Sequence, residues 1–245
     1  MLMGVVIFNN TSSKSLGLVI QFIPSYTFPE KEYQTINIPG RNGDLVLDKG
    51  SYRNTERTYS FAKVFENGQT FVSEANKIVS WLHSAKGYAR LEDTYEPAYY
   101  RMAMYRSGGE LSNFYDTATV LDVTFECKPQ KYLKTGDIEV AKSDGDTLPN
   151  EQSYDASPVI SFHVDANKTA IIAIEDCEIQ VGPFTEAKDI IVDCENKECY
   201  YGNTLYNQYL KLINGKFPVL VANANNTIHI SNATNVKIKP RWWTL

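Results

Sequence analysis

The chain has 245 residues, 43% hydrophobic and 22% charged, with a formal net charge of −5. That composition belongs to a folded globular protein and excludes a disordered or fibrous one, and the acidic balance argues against a broad phosphate-binding surface or stable nucleic-acid binding. The length suits one large or two modest domains, and two is the reading adopted.

No apolar run approaches the roughly 20 residues that a bilayer-spanning helix needs, so no membrane contact is expected. Residues 1–8 are too short and too uncharged for a signal peptide, so synthesis in the cytoplasm without export is expected. Apolar runs at 2–8 and 16–23, separated by a polar cluster of turn formers, predict two neighbouring strands. Pro24, Pro29 and Pro39 then break the pattern, and Asn42-Gly43 places a tight hairpin tip within 38–45. Strands at 44–48 and 57–64 follow.

Residues 70–87 carry the amphipathic helix on which this half is organised. Phe71, Ala75, Ile78 and Leu82 form its apolar stripe, widened by Val72, Val79 and Trp81, with Thr70 as its cap and Gly87 as its stop. A helix over about 71–86 must bury that stripe against a sheet. Strands at 88–92, 98–106 and 117–127 supply one; in the last, Leu121, Val123, Phe125 and Cys127 alternate with polar residues. Ser107-Gly108-Gly109 is read as a hinge in a surface loop. From Lys128 to Ser157 the chain is rich in Pro, Gly, Ser, Asp and Asn, relieved by a short strand at 137–141. Beyond it, strands at 158–165, 169–174, 177–182, 189–193, 198–201, 226–231 and 235–239 predict an antiparallel sandwich, with a turn of helix between 204 and 213. The fold class is therefore mainly β, with domains at 1–130 and 158–245 and a linker at 131–157.

No catalytic, metal or cofactor-binding residue is assigned. His83, His163 and His229 lie far apart without metal-ligand spacing, and no nucleophile elbow, Walker loop or dinucleotide fingerprint is present. Glu92-Asp93, Asp144-Gly-Asp146 and Glu175-Asp176 are close acids, but neighbouring acids in turns are usually solvated. Cys127, Cys177, Cys194 and Cys199 read as reduced, packed thiols, with a bridge between Cys194 and Cys199 across a hairpin left open.

Two stretches carry a family resemblance. Ile38-Pro-Gly-Arg-Asn-Gly-Asp-Leu45 resembles the Gly-Arg-Asp-Gly turn near the N-terminus of distal tail proteins, the Dit family of long-tailed bacteriophages, with Asn42 in place of the usual Asp. The run Ile190–Cys194, Asn214–Leu220, Asn226–Ser231 and Lys239–Trp242 is similar to that family's closing sandwich. Ala222–Asn225 stands where the family has a Pro-Gly turn. The order of parts covers nearly the whole chain.

The resemblance implies an N-terminal β-sandwich-like domain that forms a ring and a galectin-like C-terminal sandwich. It implies a non-enzymatic ring, usually a hexamer, at the tail tip of the virion, assembled in the host cytoplasm without cofactors. Such a ring joins the tail tube protein to the hub or tail-associated protein and supports baseplate or receptor-binding proteins through its outward C-terminal domain during adsorption. Within it, Arg41, Asn42, Gly43 and Asp44 are candidate intersubunit or hub contacts; an ordinary hairpin tip is the plainer reading. A carbohydrate-binding module recognising host cell-surface glycans is the alternative, suggested by the tyrosines and by Trp242 and Trp243, which otherwise seal the last strand. The galectin sugar motif is not matched by His163-Val-Asp-Ala-Asn167.

Overall fold

A computed structural model describes residues 4–106, 109–114 and 117–245. The chain divides into two compact units, Met1–Lys131 with Leu245, and Tyr132–Thr244. Residues 2 and 3 of the first expected strand, and 107 and 108 of the expected hinge, lie outside the described residues.

The first unit holds β1 (Val6–Phe8), β2 (Thr11–Ser12), β3 (Val19–Ile20), β4 (Lys31–Ile36), β5 (Leu45–Tyr52), β6 (Thr55–Val64), helix α1 (Phe71–Leu82), β7 (Ala89–Asp93), β8 (Tyr99–Tyr105), β9 (Ser112–Phe114) and all but the last two residues of β10 (Ala118–Leu133). Its main sheet runs β2-β1-β7-β8-β10-β6-β3, with β9 also on β10, while among the described residues β4 and β5 pair only with each other. The alternation read from β10 holds: Leu121, Val123, Phe125 and Cys127 are buried and Asp122 is exposed. Phe8, Tyr59, Phe61, Phe125 and Trp81 close the core, with Phe8 and Phe125 rings 4.8 Å apart and the Trp81 indole N–H donating to the Phe8 carbonyl at 3.3 Å.

The helix exists but is shorter and rotated. Thr70 caps it as expected, its hydroxyl accepting from the Ser73 amide. It stops at Leu82, not 86: the Ser84 amide bonds to the Trp81 carbonyl three residues back, and the Asn9 side chain holds Ser84 through its carbonyl and hydroxyl. Gly87 is therefore not the cap, and its φ is not positive. The buried face is Glu74, Ile78, Trp81 and Leu82, while Val72 and Val79 stay 65% and 45% exposed. Lys63 from β6 reaches Glu74 and makes its burial tolerable, which an apolar stripe could not reveal. The expected strand at 16–23 shrinks to β3, because Ser13–Leu16 forms a 3-10 turn ended by Gly17 at φ 68°.

The second unit holds β11 (Val140–Ala141), β12 (Thr147–Asn150), β13 (Val159–Val164), β14 (Ala170–Ile174), β15 (Cys177–Val181), β16 (Lys188–Asp193), β17 (Glu198–Tyr201), β18 (Thr204–Leu205), β19 (Leu210–Leu212), β20 (Ala224–Ser231), β21 (Thr234–Lys239) and β22 (Trp243–Thr244). One antiparallel sheet is ordered β11-β21-β13-β16-β17-β18 and the other β12-β20-β14-β15-β19. Alternate residues such as Ile160, Phe162, Ile172, Ile190, Val192 and Ile228 fill one core. Residues 131–157, expected as a linker, give β11 and β12 to these two sheets. The helical turn expected within 204–213 is a 3-10 turn at Asn207–Tyr209 between β18 and β19.

The motifs behind the resemblance have structural tasks here. Asn226 is fully buried; its side chain accepts from the Val221 amide at 2.6 Å and donates toward the carbonyls of Leu148, Val221 and Ala224. Arg241 grips Asp193 with two bonds of 2.7 Å, joining the Lys239–Trp242 stretch to the Ile190–Cys194 stretch. Burial works to raise the Asp193 pKa, but Arg241 and the Asn196 amide prevail and hold it below the usual carboxylate range. Trp243 stacks on Tyr154 at 4.4 Å. All four cysteines are free, Cys199 standing opposite Val192. Burial pushes the Cys127 thiol up to about 12 and Cys199 up to about 11.

Gly136 lets two backbones meet. A Cβ there would lie 2.4 Å from the Trp242 nitrogen and within 3.2 Å of the Arg241 backbone. Gly136→Ala is expected to destabilise the second unit by about 2 kcal/mol, since overpacking against backbone costs about 1–3 kcal/mol. A lowered urea midpoint for this unit's transition checks it.

Candidate assembly surface

The surface that stands out is the β4–β5 hairpin, referred to below as the arm. Its register sets Ile36 opposite Leu45, Thr35 opposite Val46, Gln34 opposite Leu47 and Tyr33 opposite Asp48. Side chains alternate along a strand, so Ile36, Leu45 and Leu47 share one face with Gln34, while Val46 and Tyr33 lie on the other with Thr35 and Asp48. Neither face is covered. Val46 is 56% exposed, Tyr33 52% and Leu47 43%. An isolated two-stranded hairpin is marginal in water, and apolar residues on both its faces call for a partner. The residues leading into it add to this surface: Phe22, Ile23 and Phe28 are 70%, 78% and 80% exposed.

Arg41, Asn42, Gly43 and Asp44 all lie at the tip of the arm and are exposed. Gly40 and Gly43 supply the left-handed φ angles, 81° and 80°, and the Arg41 amide bonds to the Ile38 carbonyl at 3.1 Å. Among the described residues Arg41 makes no ion pair with Asp44. Asp44 instead accepts from the Asn37 side chain at 3.1 Å. Surface ion pairs hold the shaft, with Lys31 2.5 Å from Asp48 and Arg53 3.2 Å from Glu30.

The base of the arm meets a cluster of charges inside the first unit. Arg57 donates to the Ser25 carbonyl at 3.0 Å and to Asp93 at 3.1 Å, and Tyr59 donates to Asp93 at 2.6 Å. Glu96 lies 2.6 Å from Arg101, 3.0 Å from Lys131 and 3.6 Å from Arg57. Lys131 also donates to the Tyr26 hydroxyl and lies over the Tyr26 and Tyr99 rings at 4.8 and 4.9 Å. Burial works to raise the pKa of Asp93 and Glu96, yet Tyr59 and Arg57 for the first, and Arg101 and Lys131 for the second, hold both below the usual carboxylate range.

Several of the acids and histidines considered for chemistry have hydrogen-bond, ion-pair or ring partners. Asp93 belongs to this cluster, Asp144 and Asp146 accept from the amides of Ile230 and Ser143, and Glu175 accepts from the Thr227 amide. His163 lies 2.8 Å from Asp189, and the ring of His83 packs edge-on to Tyr105. Among the described residues no three His, Cys, Asp or Glu side chains are grouped to hold a metal, and no helix is long and apolar enough to cross a membrane.

Sequence reasoning located the tip but missed β4 and the exposed run before it. The signal was the apolar pairing of Tyr33 and Ile36 with Val46 and Leu47 across a Pro-Gly-rich turn.

The fold, a β unit with a packed helix and a two-stranded arm followed by a two-sheet sandwich, is shared with solved phage hub and baseplate proteins. Over 99% of both chains, at 14% identity and a TM-score of 0.73, this chain matches the crystal structure of SPP1 Dit (gp19.1), described as a paradigm of the hub adsorption apparatus of phages infecting Gram-positive bacteria. It also matches a chain of the activated phage p2 baseplate, over 97% of each, at 9% identity and a TM-score of 0.56. No protein-family model and no curated protein matches the sequence.

Proposed function

We propose that this chain is a structural, non-enzymatic component of a phage tail hub that closes into a ring, a hexamer, at the distal end of the tail. The uncovered apolar arm carries the reading, and the full-length fold match supports it. A cyclic ring needs a heterologous contact, one surface of each copy meeting a different surface of the next, and an arm with no cover in its own subunit suits one side of it. In this reading the first unit forms the ring between the tail tube protein and the hub, in the virion's tail tip. The second unit offers baseplate or receptor-binding proteins a stable sandwich during host adsorption. Native mass spectrometry of the full chain, alone and with tube and hub proteins, is expected to give a sixfold particle. A monomer under every one of those conditions would overturn the proposal.

The tip residues act at the edge of that contact. Arg41→Ala with Asp44→Ala removes opposite charges that are exposed, so the fold is expected to stay intact while assembly with the neighbouring copy or hub protein weakens about tenfold, the equivalent of about 1.4 kcal/mol. Titrating assembly by light scattering measures this, and an unchanged midpoint would leave Arg41–Asp44 as an ordinary turn.

A further inference from the structure

The buried charges at the base of the arm do not balance. Arg57, Arg101 and Lys131 face Asp93 and Glu96, three cations against two carboxylates, with side-chain exposures of only 1–16%. Buried cations need acceptors that water no longer supplies. The segment entering the arm makes up the shortfall with neutral groups: the Ser25 carbonyl takes the Arg57 guanidinium, and the Tyr26 hydroxyl and ring take the Lys131 ammonium. Residues 21–30 have no helix or strand of their own. Apart from this cluster, the Gln21 amide to the Ser60 carbonyl at 2.9 Å and the Arg53 amide to the Glu30 carbonyl at 2.8 Å are the backbone ties recorded for them.

We infer that Arg57 and Lys131 are positioning residues for the arm, fixing through Ser25 and Tyr26 the direction in which it leaves the first unit before any partner is present. Releasing the segment takes one acceptor from each of two buried cations, and that cost holds it in place. The inference rests on the proposed function only for its use: an arm already aimed loses less freedom on meeting a second copy, and pre-organisation of this kind raises affinity without a new contact.

The test is a distance distribution between spin labels at Lys49→Cys on the arm and Asn76→Cys on α1, in full-length protein carrying Cys177→Ser and diluted into unlabelled chains. The other three cysteines are buried. The parent is expected to give one narrow distribution. Lys131→Met with Tyr26→Phe is expected to broaden it at least twofold and, because Glu96 loses a partner, to lower the thermal midpoint of the first unit, so the distances are read well below both midpoints. Tyr26→Phe alone leaves every ion pair in place and is expected to broaden it less, which keeps the test decisive where the double variant fails to fold. A distribution equally narrow in all three proteins, or already broad in the parent, overturns the inference. Ring formation is scored separately, so absence of a ring in the parent would count against the proposed function and not against the anchoring.

Discussion

Leu45→Asp with Leu47→Asp is expected to leave a folded protein that no longer assembles. Both side chains lie with Ile36 on one face of the arm, outside the two cores, so their loss removes no side chain from either core. At an interface the balance differs. Covering a leucine is worth about 1.5–3 kcal/mol, and burying an unpaired carboxylate in its place costs several kcal/mol more. Each tenfold in affinity corresponds to about 1.4 kcal/mol. Two such changes therefore weaken each contact by about a thousandfold or more, and a closed ring repeats that loss at every interface. Native mass spectrometry should find only monomer, with thermal midpoints within about 2 °C of the parent's. Val46→Asp, on the opposite face, reports whether one face or both are covered. A normal ring from the double variant would remove the arm from the contact.

Asp93→Ala is expected to be the most damaging single change within the first unit. Asp93 accepts from Arg57, Tyr59 and the amides of Tyr95 and Glu96. Its removal leaves a buried guanidinium leaning on Glu96 at 3.6 Å alone among carboxylates. Breaking a buried ion pair from one side costs about 3–5 kcal/mol. Equilibrium urea unfolding measures it. The same groups set the acid response. Asp93 and Glu96 have folded-state pKa values depressed below their unfolded ones. Their stabilisation is thus fully present above the unfolded values, roughly pH 4–4.5, and is lost as pH falls through the folded values. The first unit should lose stability below about pH 4.5, and Asp93→Ala should lose less over that interval because part of the linkage is gone.

What could be read from the residues was whatever announces itself by period. The alternation in β10, the short strands of the second unit and the amphipathic helix all follow from burying one face. The failures share a physical cause: charges and side-chain hydrogen bonds are invisible to a hydrophobic pattern. Glu74 takes a core position because Lys63 comes to meet it. The helix ends early because Asn9 holds Ser84. The 131–157 stretch reads as a loop because its strands are short and tied by Asn150, whose side-chain amide donates to the Leu220 carbonyl at 2.9 Å, seventy residues away. For the candidate surface, the Gly and Asn residues gave away the tip. The uncovered strand before it did not stand out, because an arm with apolar residues on both faces shows no one-sided burial pattern.

The groups that hold the base of the arm enter the chain in an order of consequence for its making. Ser25, Tyr26 and the whole of β4 and β5 leave the ribosome first, whereas Asp93, Glu96 and Lys131 follow as many as a hundred residues later. Until Lys131 has emerged, the root of the ribbon has Arg57 but not its second anchor, so chains stopped before that point should be cut by protease within residues 22–30 more readily than chains extended beyond it.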